Sequence, residues 1–189
     1  ALHGFIEAGA TDIETRAPDM AGINAFAHLV VATEAATLHR QWIGERPDDY
    51  ADQVLARIEP GLFYPATHYI EALMRRGPLA TDWLDAVLGT ADAAILPAFP
   101  VPVPTIAETT EGSAGDVAAI IAKLTRNTRG INYLGLPSIA IPIGFSASGL
   151  PIACQIVGRP WSEPLLLRIA DAFQCVTDFH RRTPPETQA

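Results

Sequence analysis

Residues 125–158 read TRNTRGINYLGLPSIAIPIGFSASGLPIACQIVG, and the rest of the chain is best understood outward from this stretch. It holds two apolar runs, Ser138–Gly144 and Pro151–Val157, separated by Ser146-Ala147-Ser148-Gly149. Short runs of this composition joined by a small-residue turn predict a β-hairpin. Gly149 suits a positive φ in the turn, and Gly144 suits a turn of the chain where the first strand ends. Pro137 fixes the approach to Ser138, and Gly135 permits close backbone approach. Downstream, Ser162 is placed to cap a last helix over about 163–179, and the residues from Thr183 onward read as a disordered tail.

Upstream, Ser113 followed by Asp116 resembles a capping box and opens a helix to about Thr128. Val117, Ile120, Ile121, Leu124 and Thr128 form the stripe expected to pack inward, with Ala122, Thr125 and Arg129 on a flanking face. The run Ala93–Pro97 is short and wholly apolar, which predicts a strand buried on both faces. Four prolines between 97 and 104 then form a rigid loop. Nearer the start, helices are predicted over 1–9 (with Gly9 as C-cap), over 21–43, and from Asp48 or Asp49 to about Glu59. Two more follow, over 65–76 up to Gly77-Pro78 and over 81–88. In the long helix, Phe26, Ala27, Val30, Val31, Leu38 and Trp42 are read as the apolar side, with Glu34 as a partly exposed or paired carboxylate. Asp12–Ala17 reads as a short strand ended by Pro18. Helices with a few buried strands in one layered unit give an α/β or α+β class.

Composition excludes several functions. The formal net charge is −8, the isoelectric point is near 5.0, and no basic cluster exceeds two residues (Arg75-Arg76, Arg181-Arg182), so nucleic acid is not an expected partner. No apolar run reads as long enough to span a bilayer, and the start Ala-Leu-His-Gly-Phe lacks the features of a signal peptide. Cys154 and Cys175 fit neither a zinc pattern nor a redox pair and read as two buried free thiols in a reducing cytoplasm. None of His3, His28, His39, His68 and His180 is paired at metal-ligand spacing, so no metal or cofactor is expected.

The elements Asn132, Gly135-Leu136-Pro137, Pro142-Ile143-Gly144, Gly149-Leu150-Pro151 and Gln155-Ile156-Val157-Gly158 follow one another in an order that resembles the C-terminal hallmark of the amidase signature family. Tyr69-Ile70-Glu71-Ala72 with Arg76, Ala93–Pro97 with Phe99-Pro100, and Ala32-Thr33-Glu34-Ala35 with His39 resemble further family elements upstream. The resemblance covers nearly the whole chain. It implies an α/β fold in which a mixed β-sheet is flanked by helices. Residues 1–182 would be the C-terminal part of an amidase domain, and 183–189 its tail.

The resemblance also implies hydrolysis of linear amides by a Ser–Ser–Lys triad, in which a lysine acts through a bridging serine on the nucleophilic serine. This chain has one lysine, Lys123, and five serines (Ser113, Ser138, Ser146, Ser148, Ser162), with no Gly-Gly-Ser-Ser run. Lys123 reads as a solvated charge and Ser113 as an N-cap, so no catalytic residue is assigned and the chain alone is expected to be inactive. Residues at matching places, counted back from Asn132, line the substrate channel in related enzymes. That makes Ala122, Thr125 and Arg129 the candidate substrate-binding residues, and Arg129 would suit a carboxylate- or carbonyl-bearing substrate.

The implied partners are a small-molecule amide, the N-terminal half of the same fold, and a second copy in a homodimer. One alternative is the A-type subunit of a glutamine-dependent tRNA amidotransferase. Such subunits place an acidic residue where Thr125 stands. The other alternative is a non-catalytic binding or scaffolding relative.

Overall fold

The computed structural model describes residues 2–15 and 20–183. Its centre is a three-stranded sheet of β1 (Ala93–Pro97), β2 (Ser138–Phe145) and β3 (Pro151–Gly158), in the order β1-β3-β2. Both pairings are antiparallel, with Ile156 of β3 opposite Ile95 on one side and Ile139 on the other. The hairpin forms as its turn chemistry requires: Ser146 and Leu150 close it and Gly149 takes φ +80°. β2 continues past Gly144 to Phe145 through a register shift between Pro142 and Gly144, so Gly144 lies at a bulge and does not end the strand.

Strand alternation divides the core into two layers. On one face Ala94, Leu96 and Val157 meet α2 (Ala21–Glu45), α4 (Ala66–Trp83) and α7 (Arg129–Leu134). On the other, Ile141, Cys154 and Ile156 meet α1 (Leu2–Glu7) and α8 (Glu163–Cys175), where the Phe5 and Phe173 rings lie 4.4 Å apart. This is the α/β arrangement of a sheet covered by helices on both faces.

Several local expectations are corrected. Residues 12–15 are irregular; the rest of the strand expected to Ala17, with Pro18, lies outside the described residues, as does the tail from residue 184. The helix expected to stop at Gly77-Pro78 runs on through Pro78 to Trp83 and ends in a π-turn over Leu84–Leu88. α3 spans Asp52–Ile58 behind a 3-10 turn at Pro47–Asp49, with Ala51 and neither aspartate at its N-cap.

The helix that Ser113 opens, α6 (Ala114–Leu124), is shorter than expected, and α7 restarts the chain at Arg129. Its capping bond from Asp116 N–H to Ser113 Oγ is present, and a complete capping box joins Thr105 and Glu108 at α5 (Ile106–Thr110). Ser162 occupies the N-cap of α8 without a capping bond, and α8 stops at Cys175. A Cβ at Gly135 would have open space, so its glycine is required by conformation: it takes φ +71° as the left-handed cap of α7. Cys154 is buried as expected, with burial pushing its thiol up to about 11, but Cys175 is exposed.

α2 departs most from its expected pattern. Ile23, Ala27, Val30, Ala36 and Ile43 are buried, whereas Val31, Leu38 and Trp42 are 59%, 75% and 44% exposed. Apolar and polar residues are interleaved around the helix, so it has no single apolar face. By length and composition it is also the one described helix able to cross a membrane, although part of it lies in the core between α4 and α7.

Candidate functional site

The connection between α6 and α7 is pinned from three directions. Asn127 donates from Nδ2 to Pro97 O at 2.9 Å, and the buried Gln155 donates to Asn127 O at 2.8 Å. Asn24 of α2 donates to Arg126 O at 2.9 Å. These bonds satisfy polar groups at the sheet end and draw residues 125–128 out of a continuous helix. Ala122, Thr125 and Arg129 therefore do not share one straight helix face.

Thr125 and Arg129 are nonetheless brought together. Arg129 Nη2 donates to Thr125 Oγ1 at 2.6 Å, and Thr125 Oγ1 donates to Ile121 O at 2.9 Å. Both side chains are half-buried, while Ala122 is exposed one turn earlier on α6. Among the described residues no carboxylate lies within ion-pair distance of Arg129.

Two further basic residues, which the sequence reading missed, lie around Arg129. His28 of α2 and Arg57 of α3 line a cleft of about 240 Å³ with Val31, Ala32, Ala35, Val54 and Ile58. The cleft exists because the turn after α3 sits directly on α2: Gly61 lies against the Ala32 backbone, where no side chain fits. Burial first, then the charges of Arg129 and Arg57, holds the His28 imidazole below its ordinary value. Burial and then Arg57 likewise lower Arg129, which remains a cation at any ordinary pH. Two permanent cations, Arg57 and Arg129, and one titratable ring, His28, thus act on one another, and among the described residues none of them is in an ion pair with an acid. His28 offers one local signal, a titratable residue inside the apolar run 23–32; Arg57 offers none, since only folding brings α3 to α7.

The other quoted motif residues also converge. Tyr69 donates from its hydroxyl to Glu34 at 3.0 Å, so Glu34 is a paired, exposed carboxylate. That bond raises the Tyr69 phenol above its ordinary value. The Arg76 guanidinium lies 5.3 Å from the Tyr133 ring centre, and the Tyr133 hydroxyl donates to Ala72 O. A larger hollow of about 350 Å³ on α4, lined by Thr67, Ile70, Glu71, Met74 and Arg75, is open and includes none of these residues in its lining. Lys123 is exposed and bonds to no serine among the described residues; Ser113 bonds Asp116, and Ser146 pairs with Ser148.

Comparison with known proteins decides the family. The model of the amidase family matches residues 6–167. This chain belongs to the amidase family. It is 32% identical over 163 residues to the A-type subunit of the glutamyl-tRNA(Gln) amidotransferase of Bordetella avium, an alignment covering 84% of this chain and 31% of the relative. It is 32% identical over 185 residues to an amidase of Pseudomonas putida, covering 97% of this chain and 39% of that protein. A crystal structure of an amidase superposes with a TM-score of 0.77 at 23% identity over 92% of this chain and 39% of the other, which shows the shared fold. The amidase-family chain thus spans about a third of the length of the curated relatives it matches.

Proposed function

We propose that the chain forms one wall of the substrate pocket in a hydrolase of linear carbon–nitrogen bonds, with Ala122, Thr125 and Arg129 facing the substrate. The observation that carries this reading is the Arg129–Thr125 hydrogen bond. Among the described residues no carboxylate pairs with that guanidinium, and its charge reaches His28, which lines a 240 Å³ cleft together with Arg57. Such a cluster suits an amide substrate that also bears a carboxylate, bound through charge-assisted hydrogen bonds.

The bond-breaking residues, in this reading, are a Ser–Ser–Lys triad in the part of the fold that the relatives possess and these 189 residues do not. An alcohol needs a base to remove its proton before it attacks an amide, and Lys123 bonds no serine among the described residues. The remainder of the fold is therefore the main partner, and a homodimer is a further one. A cytoplasmic setting fits the two unpaired thiols. The test is an amide-hydrolysis assay on this chain alone and on the chain preceded by its upstream coding sequence. Turnover is expected only in the second case. A covalent acyl adduct on the isolated 189 residues refutes the assignment.

A second reading, the A-type subunit of a glutamine-dependent tRNA amidotransferase, is favoured by the 32% identity to one such protein. Thr125 speaks against it, since a hydroxyl cannot hold an α-ammonium group as a carboxylate does. Thr125→Asp in the complete protein separates the two: gained glutaminase activity supports the amidotransferase, and lost amidase activity supports the stand-alone enzyme. The scaffolding alternative predicts no lysine and no Gly/Ser-rich run in the upstream sequence.

A further inference from the structure

His28 is the one residue lining the α2–α3 cleft whose side chain changes charge near neutral pH. Its surroundings are one-sided. Arg57 of α3 and Arg129 of α7 both act on the imidazole, and both are cations. The acids of the neighbouring elements are either engaged elsewhere or not paired with it. Glu34 of α2 accepts from Tyr69, Glu71 of α4 pairs with Arg75, Asp116 of α6 bonds Ser113, and Asp52 and Glu59 around α3 form no ion pair with His28. Protonating His28 therefore adds a third positive charge that no acid among the described residues pairs with.

An anion in the cleft reverses that balance, because its charge offsets the arginines and its oxygen accepts from the imidazolium N–H. We propose that His28 is a proton-linked specificity determinant: as the carboxylate of an amide substrate binds beside Arg57, His28 takes up a proton, and the cleft holds that carboxylate more tightly as pH falls. The proton comes from the buffer and ends on a ring nitrogen, and no bond in the ligand changes. The ligand's identity rests on the amide-substrate reading above; the proton linkage rests on the cleft itself. The sign follows from reciprocity. A ligand that raises the proton affinity of His28 is bound more tightly once His28 is protonated. With one proton involved, affinity gains at most about tenfold per pH unit between the free and bound titration midpoints.

The test titrates the 189-residue chain with succinamate, which carries one amide and one carboxylate, and with uncharged succinamide. Calorimetry at about pH 7.5 and about pH 5.5, in buffers of different ionisation heat, reads affinity and proton uptake together. The expected result is a several-fold tightening for succinamate at the lower pH with up to one proton absorbed. Succinamide should show neither effect. His28→Asn should flatten the pH dependence and leave weak binding, while Arg57→Gln should weaken succinamate at both pH values. In the unaltered chain, succinamate should also raise the titration midpoint of the His28 ring protons in NMR, which keeps the test decisive if a variant fails to fold.

An unchanged pH slope in His28→Asn, an unmoved His28 midpoint, or no succinamate binding by the unaltered chain overturns the proposal. None of these readouts uses turnover. A complete enzyme that hydrolyses no amide would sink the functional reading alone, and pH-independent binding beside an active enzyme would sink only the role of His28.

Discussion

Gly61→Ala tests the packing that creates the α2–α3 cleft. A Cβ at Gly61 would run into the backbone carbonyl of Ala32 and lie 2.9 Å from the Ala36 Cβ. The obstacle is helix backbone, which cannot rotate aside as a flexible side chain does. Overpacking of this kind costs about 1–3 kcal/mol, and the upper half applies against backbone. Removing a glycine also stiffens the unfolded chain, which returns about 0.4–1 kcal/mol. The net loss is about 2 kcal/mol, or a fall in melting temperature of roughly 4–8 °C for a chain of this size.

Gly44 in α2 is the internal control. Nothing lies within 4 Å of the position its Cβ would take, so Gly44→Ala should stabilise the same helix by up to about 1 kcal/mol. Urea unfolding of both variants reads the two signs side by side. Gly61→Ala also forces α3 away from α2, so Arg57 moves from His28 and succinamate binding should weaken. A Gly61→Ala protein as stable as Gly44→Ala refutes the claim that close approach of the turn to Ala32 holds the cleft together.

Phe173→Ala removes a ring that is almost fully buried against Phe5 and should cost about 3–5 kcal/mol in urea unfolding; a loss under about 1 kcal/mol would show that this layer is not a packed core. Cys175, exposed, should react with a thiol reagent in the native protein near neutral pH. Cys154, buried with its thiol pushed up to about 11, should react only in denaturant, so two equivalents in the native state contradict the fold. The Thr105 N–H and hydroxyl hold the Glu108 carboxyl below its usual value. A depressed carboxylate supports its cap above the unfolded value and loses that support as pH falls through the folded one. The Thr105 amide signal in NMR should then report loss of the α5 cap only below the usual glutamate range, and a midpoint at or above that range contradicts the capping box.

The parts of the fold that were legible in the sequence are those fixed by neighbours along the chain. The β2–β3 hairpin depends on a four-residue turn and two apolar runs, and the Ser113 cap depends on Asp116 three residues on. The misread parts depend on distant residues. Gly77-Pro78 carries a strong local stop, yet α4 continues. Gly77 has no Cβ to clash with the proline ring, Thr81 donates back to the Gly77 carbonyl at 3.3 Å, and Leu79, Ala80 and Trp83 pack on the core. The break after Leu124 likewise comes from Asn24, Pro97 and Gln155, far away in sequence. At the site, the Thr125–Arg129 pair survives the break because a helix-type bond from Arg129 N–H to Thr125 O, 2.9 Å, bridges it.

α2 links the site to the proposed partner. A helix with apolar residues on more than one side leaves some of them in water unless each of those sides is packed. Here the side bearing Ile23, Ala27 and Val30 is covered, while the row Val31, Leu38 and Trp42 is not. Val31 lines the cleft beside His28 and Arg57, so the uncovered row runs directly out of the proposed substrate pocket. The strand β1 adds to this: it is wholly apolar, pairs among the described residues with β3 alone, and leaves Ile95 partly exposed. The relatives, of which this chain spans about a third, have further mass that could cover both. On the proposed reading, the cleft between α2 and α3 would be closed by that mass, and closure would exclude water from the cations that hold the substrate. Leu38→Glu with Trp42→Glu should therefore leave the fold of this chain intact, since Leu38 is 75% exposed and Trp42, 44% exposed, makes a ring-edge contact with the half-buried His39 of its own helix. In the complete enzyme the same pair should lower amide turnover by displacing the covering part. Full activity of that double variant would mean that the row stays exposed in the whole protein and that the pocket closes elsewhere.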